Sequence, residues 1–159
     1  LNRRTLYVLA GAAALWTVRG DAAGVPKEPE MTDETAARQA IAAHYATAPE
    51  PRSVPESSEL YAEDAVLEFP QGGERIRGKA HIIAFRTAYP ARVEFDLRRT
   101  VGQGSLWVNE GVIRYDGQRP HHFVGIMEFR GDKVVRETIY FGEPWDPPAW
   151  RAQWVEPIR

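Results

Sequence analysis

The chain contains no cysteine, which removes disulfides, iron–sulfur clusters, thiolate zinc sites and a cysteine nucleophile from consideration. Imidazoles are scarce: four histidines in 159 residues, two of them the adjacent His121 and His122. Neighbouring strand residues point to opposite faces, so that pair cannot chelate from one side, and neither a metal nor another cofactor is expected. An excess of one charge is missing too. Twenty basic against 22 acidic residues leave a net charge of −2, and no basic run offers a place to nucleic acid or an anionic membrane. The apolar run Leu6 to Leu15 is too short to span a bilayer. Gly102-Gln103-Gly104 reads as a hairpin turn, not as a strand-to-helix phosphate cradle. There are no repeats and no low-complexity segments.

What is present is ordinary for a globular protein: 43% hydrophobic and 26% charged residues, in a length suited to one domain with a real core. Residues 1–31 differ from the rest. Asn2-Arg3-Arg4 precedes the apolar run, and Gly20-Asp21-Ala22-Ala23 offers small residues for cleavage, so an exported protein with a twin-arginine-type signal is one reading. The favoured reading is translation from Met31 and a cytoplasmic protein: Lys27-Glu28 can be encoded as a ribosome-binding sequence, and Thr32 or Asp33 can cap a following helix. Either way the functional domain is expected over 32–159.

Helical spacing of Ala36, Ala37, Ala40, Ile41, His44 and Tyr45 predicts a helix from Thr35 to Thr47, ended by the proline-rich segment 48–55. A short helix, Ser57 to Tyr61, and a strand, Ala65 to Phe69, follow. Pro70-Gln71-Gly72-Gly73 is a turn, and Arg75-Ile76-Arg77 leads through Gly78 to a second long helix, Lys79 to Tyr89, with Ile82, Ile83 and Phe85 as its stripe. Four strands come next: Arg92–Val101, Ser105–Tyr115, His121–Arg130 and Lys133–Phe141. Helices first and a meander afterwards predict an α+β fold, a cone-shaped curved antiparallel sheet packed around the N-terminal helices. Asp146 before Pro147-Pro148 is expected to cap a last turn, Ala149 to Val155, whose Trp150 and Trp154 pack on the barrel or a dimer partner.

The last strand carries the sharpest lead. Alternation puts Val135, Glu137, Ile139 and Phe141 on one face, so a carboxylate points to the core side. Such a group is costly to bury unless it is paired, protonated or facing a cavity.

His44-Tyr45-Ala46, then Leu60 to Pro70, then Ile76-Arg77-Gly78-Lys79 with Ile82, then Gly131-Asp132-Lys133-Val134-Val135 together resemble the nuclear transport factor 2-like superfamily. Within it the chain resembles the SnoaL-like branch of polyketide cyclases, close to ketosteroid isomerases, over about residues 35–145. The resemblance implies a cystatin-like α+β barrel and a homodimer joined through the outer sheet face. It also places Tyr45 where isomerases carry a proton-donating tyrosine. Their general base would fall at Phe69 and their second oxyanion-hole acid at Gly125. The Arg-x-Asp of limonene-epoxide hydrolases would fall at Gly111 and Ile113, and their last-strand aspartate at Ile139. Neither enzyme's acids are present.

The same comparison sets the inward-facing positions and leaves a hydrophobic small molecule as the expected partner. Glu137, Tyr45 and Asn109 are the candidate catalytic residues: a carboxyl holding or exchanging a proton near neutrality, a phenol donating to an enolate, and an amide supporting it. Trp107, Tyr115, His121, Phe69, Met127 and Tyr61 are the candidate ligand contacts, of which Trp107, Met127 and Tyr61 suit a core better. A structural alternative pairs Glu137 with Arg114 or Arg77, or hydrogen-bonds it to Tyr45. The expected function is a cofactor-free isomerase- or cyclase-type enzyme acting on a hydrophobic carbonyl compound. The alternative is a non-catalytic ligand-binding or accessory protein with the same pocket.

Overall fold

The computed structural model describes residues 33–46 and 53–158. The expectations for residues 1–31 lie outside the described residues. Helix α1 (Glu34–Tyr45) starts where the Asp33 carboxylate accepts the Thr35 and Ala36 backbone N–H groups at 2.9 and 3.4 Å. Ala37, Ile41 and Tyr45 recur four residues apart and form its buried stripe. Helix α2 (Val54–Ser57) opens on a capping box between Ser53 and Glu56. It corrects the expected helix 57–61. Pro55 sits in the first helical turn, where a missing N–H costs nothing, and so begins a helix where the sequence suggests only a break. A 3₁₀ turn (Ser58–Leu60) then leads into the sheet.

Six strands follow: β1 (Tyr61–Phe69), β2 (Glu74–Arg77), β3 (Val93–Gln103), β4 (Leu106–Tyr115), β5 (His121–Arg130) and β6 (Lys133–Gly142), with helix α3 (Lys79–Thr87) between β2 and β3. Their order in the sheet is β2-β1-β6-β5-β4-β3. The α+β class and the curved sheet are as expected. Two features of the sheet differ. β6 pairs with β1 in parallel and with β5 antiparallel, so the sheet is mixed. Among the described residues β2 and β3 do not pair, so the sheet stays open and is no barrel.

The strand register shifts at three places, Tyr61/Val66, Leu97/Arg99 and Glu128/Phe129. The last one corrects the reading of β6. Arg136 faces Glu128 but Val134 faces Phe129, so Val135 is the extra residue. Val134, not Val135, is fully buried, while Glu137 and Ile139 keep their inward places. On the outer face Glu68 and Glu128 are taken up by Arg75 and Arg136, and Glu110 by Arg99. Such exposed cross-strand pairs contribute about 0.2–1 kcal/mol each.

After β6 a 3₁₀ segment (Ala149–Trp154) forms without a side-chain cap, so Asp146 does not cap it. Trp150 and Trp154 do not pack on the sheet either. With Trp145 they are about 70% exposed, at 71%, 72% and 72%.

Candidate functional site

Helices α1 and α3 pack against the sheet, and Tyr45 of α1, Arg86 of α3, Tyr61 of β1 and Glu137 of β6 meet at one buried point. Glu137 is 0% exposed. Its Oε1 accepts the Tyr45 hydroxyl at 2.8 Å, and its Oε2 accepts the Tyr61 hydroxyl and Arg86 Nη2, the latter at 3.2 Å. Arg86 Nη2 also donates to the Tyr61 oxygen at 2.6 Å, and the guanidinium stacks over the Tyr61 ring. The inward carboxylate is therefore paired. Its arginine is Arg86 of α3, not Arg77 or Arg114, and the expected Tyr45 bond is present.

Burial first, then the Glu137 charge, pushes the Tyr45 phenol well above the usual tyrosine range. For Tyr61 burial outweighs the opposing Arg86 charge and pushes the phenol well up too. Burial works against the Arg86 charge, but Tyr61 and Glu137 outweigh it and hold its pKa above normal. Both phenols therefore stay protonated and donate to the carboxylate.

A fifth residue completes the cluster, and the sequence reading did not single it out. His44, just before Tyr45 on α1, has Nδ1 2.7 Å from the Ser57 carbonyl oxygen and Nε2 3.4 Å from the Tyr61 hydroxyl. A carbonyl only accepts, so Nδ1 carries the hydrogen and Nε2 keeps its lone pair. Burial and then the Arg86 charge lower the His44 pKa to about 4, so the ring is neutral at physiological pH.

This cluster backs a cavity of about 580 Å³. Leu67, Ile113, Ile139 and Phe95 line its inner part, with His44 and Arg86 as the polar groups of that wall. Aromatic rings follow one another round the mouth. Phe141 stacks on Phe69 (6.2 Å), Phe69 meets Phe85 (5.7 Å), Phe85 meets Tyr89 (6.2 Å), and Tyr89 stacks on Tyr115 (5.6 Å). Burial and the neighbouring Tyr89 push the Tyr115 phenol up to about 12.

Of the expected site residues, Phe69 and Tyr115 line this cavity. His121 lies beside it, edge-on to Tyr115 at 5.7 Å. Glu137, Tyr45 and Tyr61 stand behind the wall, not on it. Trp107 and Met127 are fully buried core residues outside the lining; the Trp107 indole donates to the Gly104 carbonyl and lies under Arg38. Asn109 does not support Tyr45. The β4 register sets it between Thr100, whose hydroxyl donates to Asn109 Oδ1, and Gly125, and its Nδ2 forms no hydrogen bond with any described residue. No group of three or more His, Asp or Glu suited to a metal occurs among the described residues.

A curved sheet with helices packed against it over a half-open cavity defines an NTF2-like protein, and solved structures agree. An NTF-2-like protein of unknown function from Burkholderia xenovorans is 42% identical, with 79% of this chain and 98% of that one covered at a TM-score of 0.71. A putative ketosteroid isomerase from Kribbella flavida is 27% identical over 80% of this chain and 93% of its own, at a TM-score of 0.70. TerC, co-crystallised with polyporic acid, shares the fold at 23% identity and a TM-score of 0.59, covering 67% and 91%. Residues 41–137 match the SnoaL-like domain, and the chain belongs to that family. No curated protein matches it significantly.

Proposed function

We propose that this protein is a cofactor-free acid–base enzyme that moves a proton on the carbon beside the carbonyl of a hydrophobic compound, in an isomerisation or an aldol-type ring closure. The observation that carries this reading is the joint presence of His44 and Arg86 on the inner cavity wall. One is a neutral imidazole whose unprotonated Nε2 lies 3.4 Å from the Tyr61 hydroxyl; the other is a guanidinium held by Tyr61 and Glu137. Glu137 is a positioning residue in this scheme, because both its oxygens are committed to Tyr45, Tyr61 and Arg86.

The chemistry balances on these groups alone. His44 Nε2 takes the proton, the C–H electron pair moves into the carbonyl, and the resulting enolate oxygen rests on Arg86. In an isomerisation the imidazolium returns the proton to another carbon. In a ring closure the enolate carbon attacks a second carbonyl, and the imidazolium protonates the new alkoxide. A base whose conjugate acid has a pKa of about 4 is weak, and each unit below neutrality costs about 1.4 kcal/mol of proton-transfer driving force. The pair therefore suits acidic C–H bonds, such as one flanked by two carbonyls.

The test is deuterium exchange into 1-phenyl-1,3-butanedione, followed by NMR. Catalysed exchange is expected, and His44→Gln should lower it by about 10²–10⁴-fold with little change in binding. Exchange that survives His44→Gln sinks the assignment of the base. Binding without exchange by the wild type supports the second reading, a ligand-binding or accessory protein, which the sequestration of Glu137 favours. A homodimer through the outer sheet face belongs to the same proposal, and sedimentation at micromolar concentration tests it.

A further inference from the structure

The cavity has a charge bias that the acid–base scheme does not require. Among the described residues two arginines line it, Arg86 on the inner wall and Arg92 at the exposed rim, and no aspartate or glutamate does. Arg92 is partly answered by Glu94, 3.1 Å away at the surface. Arg86 is answered by Glu137, but through one nitrogen only. Nη2 serves both the carboxylate and the Tyr61 oxygen, while Nη1 and Nε form no hydrogen bond with any described residue. A guanidinium carries five N–H donors in a fixed plane, so three remain on a side chain that is 20% exposed and lines the cavity. Around them the walls are Leu67, Phe95, Ile113 and Ile139, which hold no competing acceptor side chain.

We propose that the ligand is itself an anion: an apolar, ring-sized body ending in a carboxylate or an ionised enol that docks on the unused donors of Arg86. This rests on the cavity reading above, yet it is independent of turnover. A neutral ketone would give Arg86 one weak acceptor, whereas an oxyanion gives a charge-assisted bond between largely apolar walls. Tyr61 and Glu137 hold the guanidinium in place beforehand, so little side-chain entropy is lost when the anion arrives. The aromatic mouth, Phe69, Phe85, Tyr89 and Tyr115, then stacks on the apolar body.

Calorimetric titration with 2-naphthoate and its methyl ester tests this, since neither compound can enolise. Wild-type protein should bind the acid at least about tenfold more tightly than the ester, the ratio expected of one charge-assisted hydrogen bond. The charge-balanced variant Arg86→Met/Glu137→Gln should lose that preference and still bind the ester. Arg86→Lys, with folding checked by circular dichroism, should keep part of it. Arg99→Gln, on the outer face, should leave the preference unchanged. Equal or tighter binding of the ester, an acid preference that survives in the double variant, or no binding of either compound overturns the proposal. Absence of proton exchange with intact acid preference refutes only the catalytic reading.

Discussion

Gly125 and Tyr45 are sterically matched: a Cβ at Gly125 would lie 2.5 Å from the Tyr45 hydroxyl oxygen and 3.5 Å from Glu137 Oε1. The glycine on β5 makes the room in which a phenol from α1 reaches a carboxylate on β6. Gly125→Ala is expected to destabilise the fold by about 1–3 kcal/mol through overpacking, because the rigid ring cannot step aside as a flexible chain would. Tyr45→Phe removes the clashing oxygen. The double variant Gly125→Ala/Tyr45→Phe should therefore cost less than the two single changes added together, as read from urea midpoints. Strict additivity would show that the two residues do not share that space.

The buried ion pair makes a second prediction. Glu137→Gln leaves Arg86 without its counter-charge, and Arg86→Met leaves the carboxylate without its cation. Each single change is expected to cost about 3–5 kcal/mol, whereas changing both together recovers most of the loss. Denaturant unfolding of the four proteins checks it. Two small, additive effects would mean that the pair is not the electrostatic centre of the core.

His44 gives the pH dependence. Its folded pKa, about 4, lies below its unfolded value near 6.5, so the unfolded chain takes up the proton first as pH falls. The stability that the neutral ring contributes is complete above about pH 6.5 and is lost progressively down to about pH 4. The limiting slope is about 1.4 kcal/mol per pH unit. His44→Gln should flatten that part of the stability–pH curve while leaving carboxylate titration below it. An unchanged curve would contradict the buried neutral imidazole.

The elements were legible in the chain because periodicity and turn residues agree. β5 and the start of α3 coincide with their expected bounds, and β3, β4 and β6 lie within two residues of theirs. What escaped was non-local. Val135 sits on a bulge, and a bulge is a property of two paired strands, invisible to alternation along one of them. The parallel β1–β6 pairing likewise joins segments about 70 residues apart. Glu137 was found because a charge among apolar neighbours breaks a pattern. Arg86 was missed although it follows Ile82 by four residues and so shares the buried stripe of α3. A search for cations on apolar helical stripes would have returned it. His44 lay on the named stripe of α1, but the backbone carbonyl that fixes its tautomer comes from a segment expected to fold differently.

The position of β6 between β1 and β5 also orders events during synthesis. Tyr45, Tyr61 and Arg86 are translated well before Glu137, and the strand that carries the carboxylate enters the sheet between neighbours already made. Until that strand is in place, Arg86 lacks the Glu137 carboxylate, and so do the Tyr45 and Tyr61 hydroxyls that donate to it. Ile139 and Phe141, which line the cavity, lie on the same strand as Glu137, so the strand that completes the ion pair also completes the cavity wall.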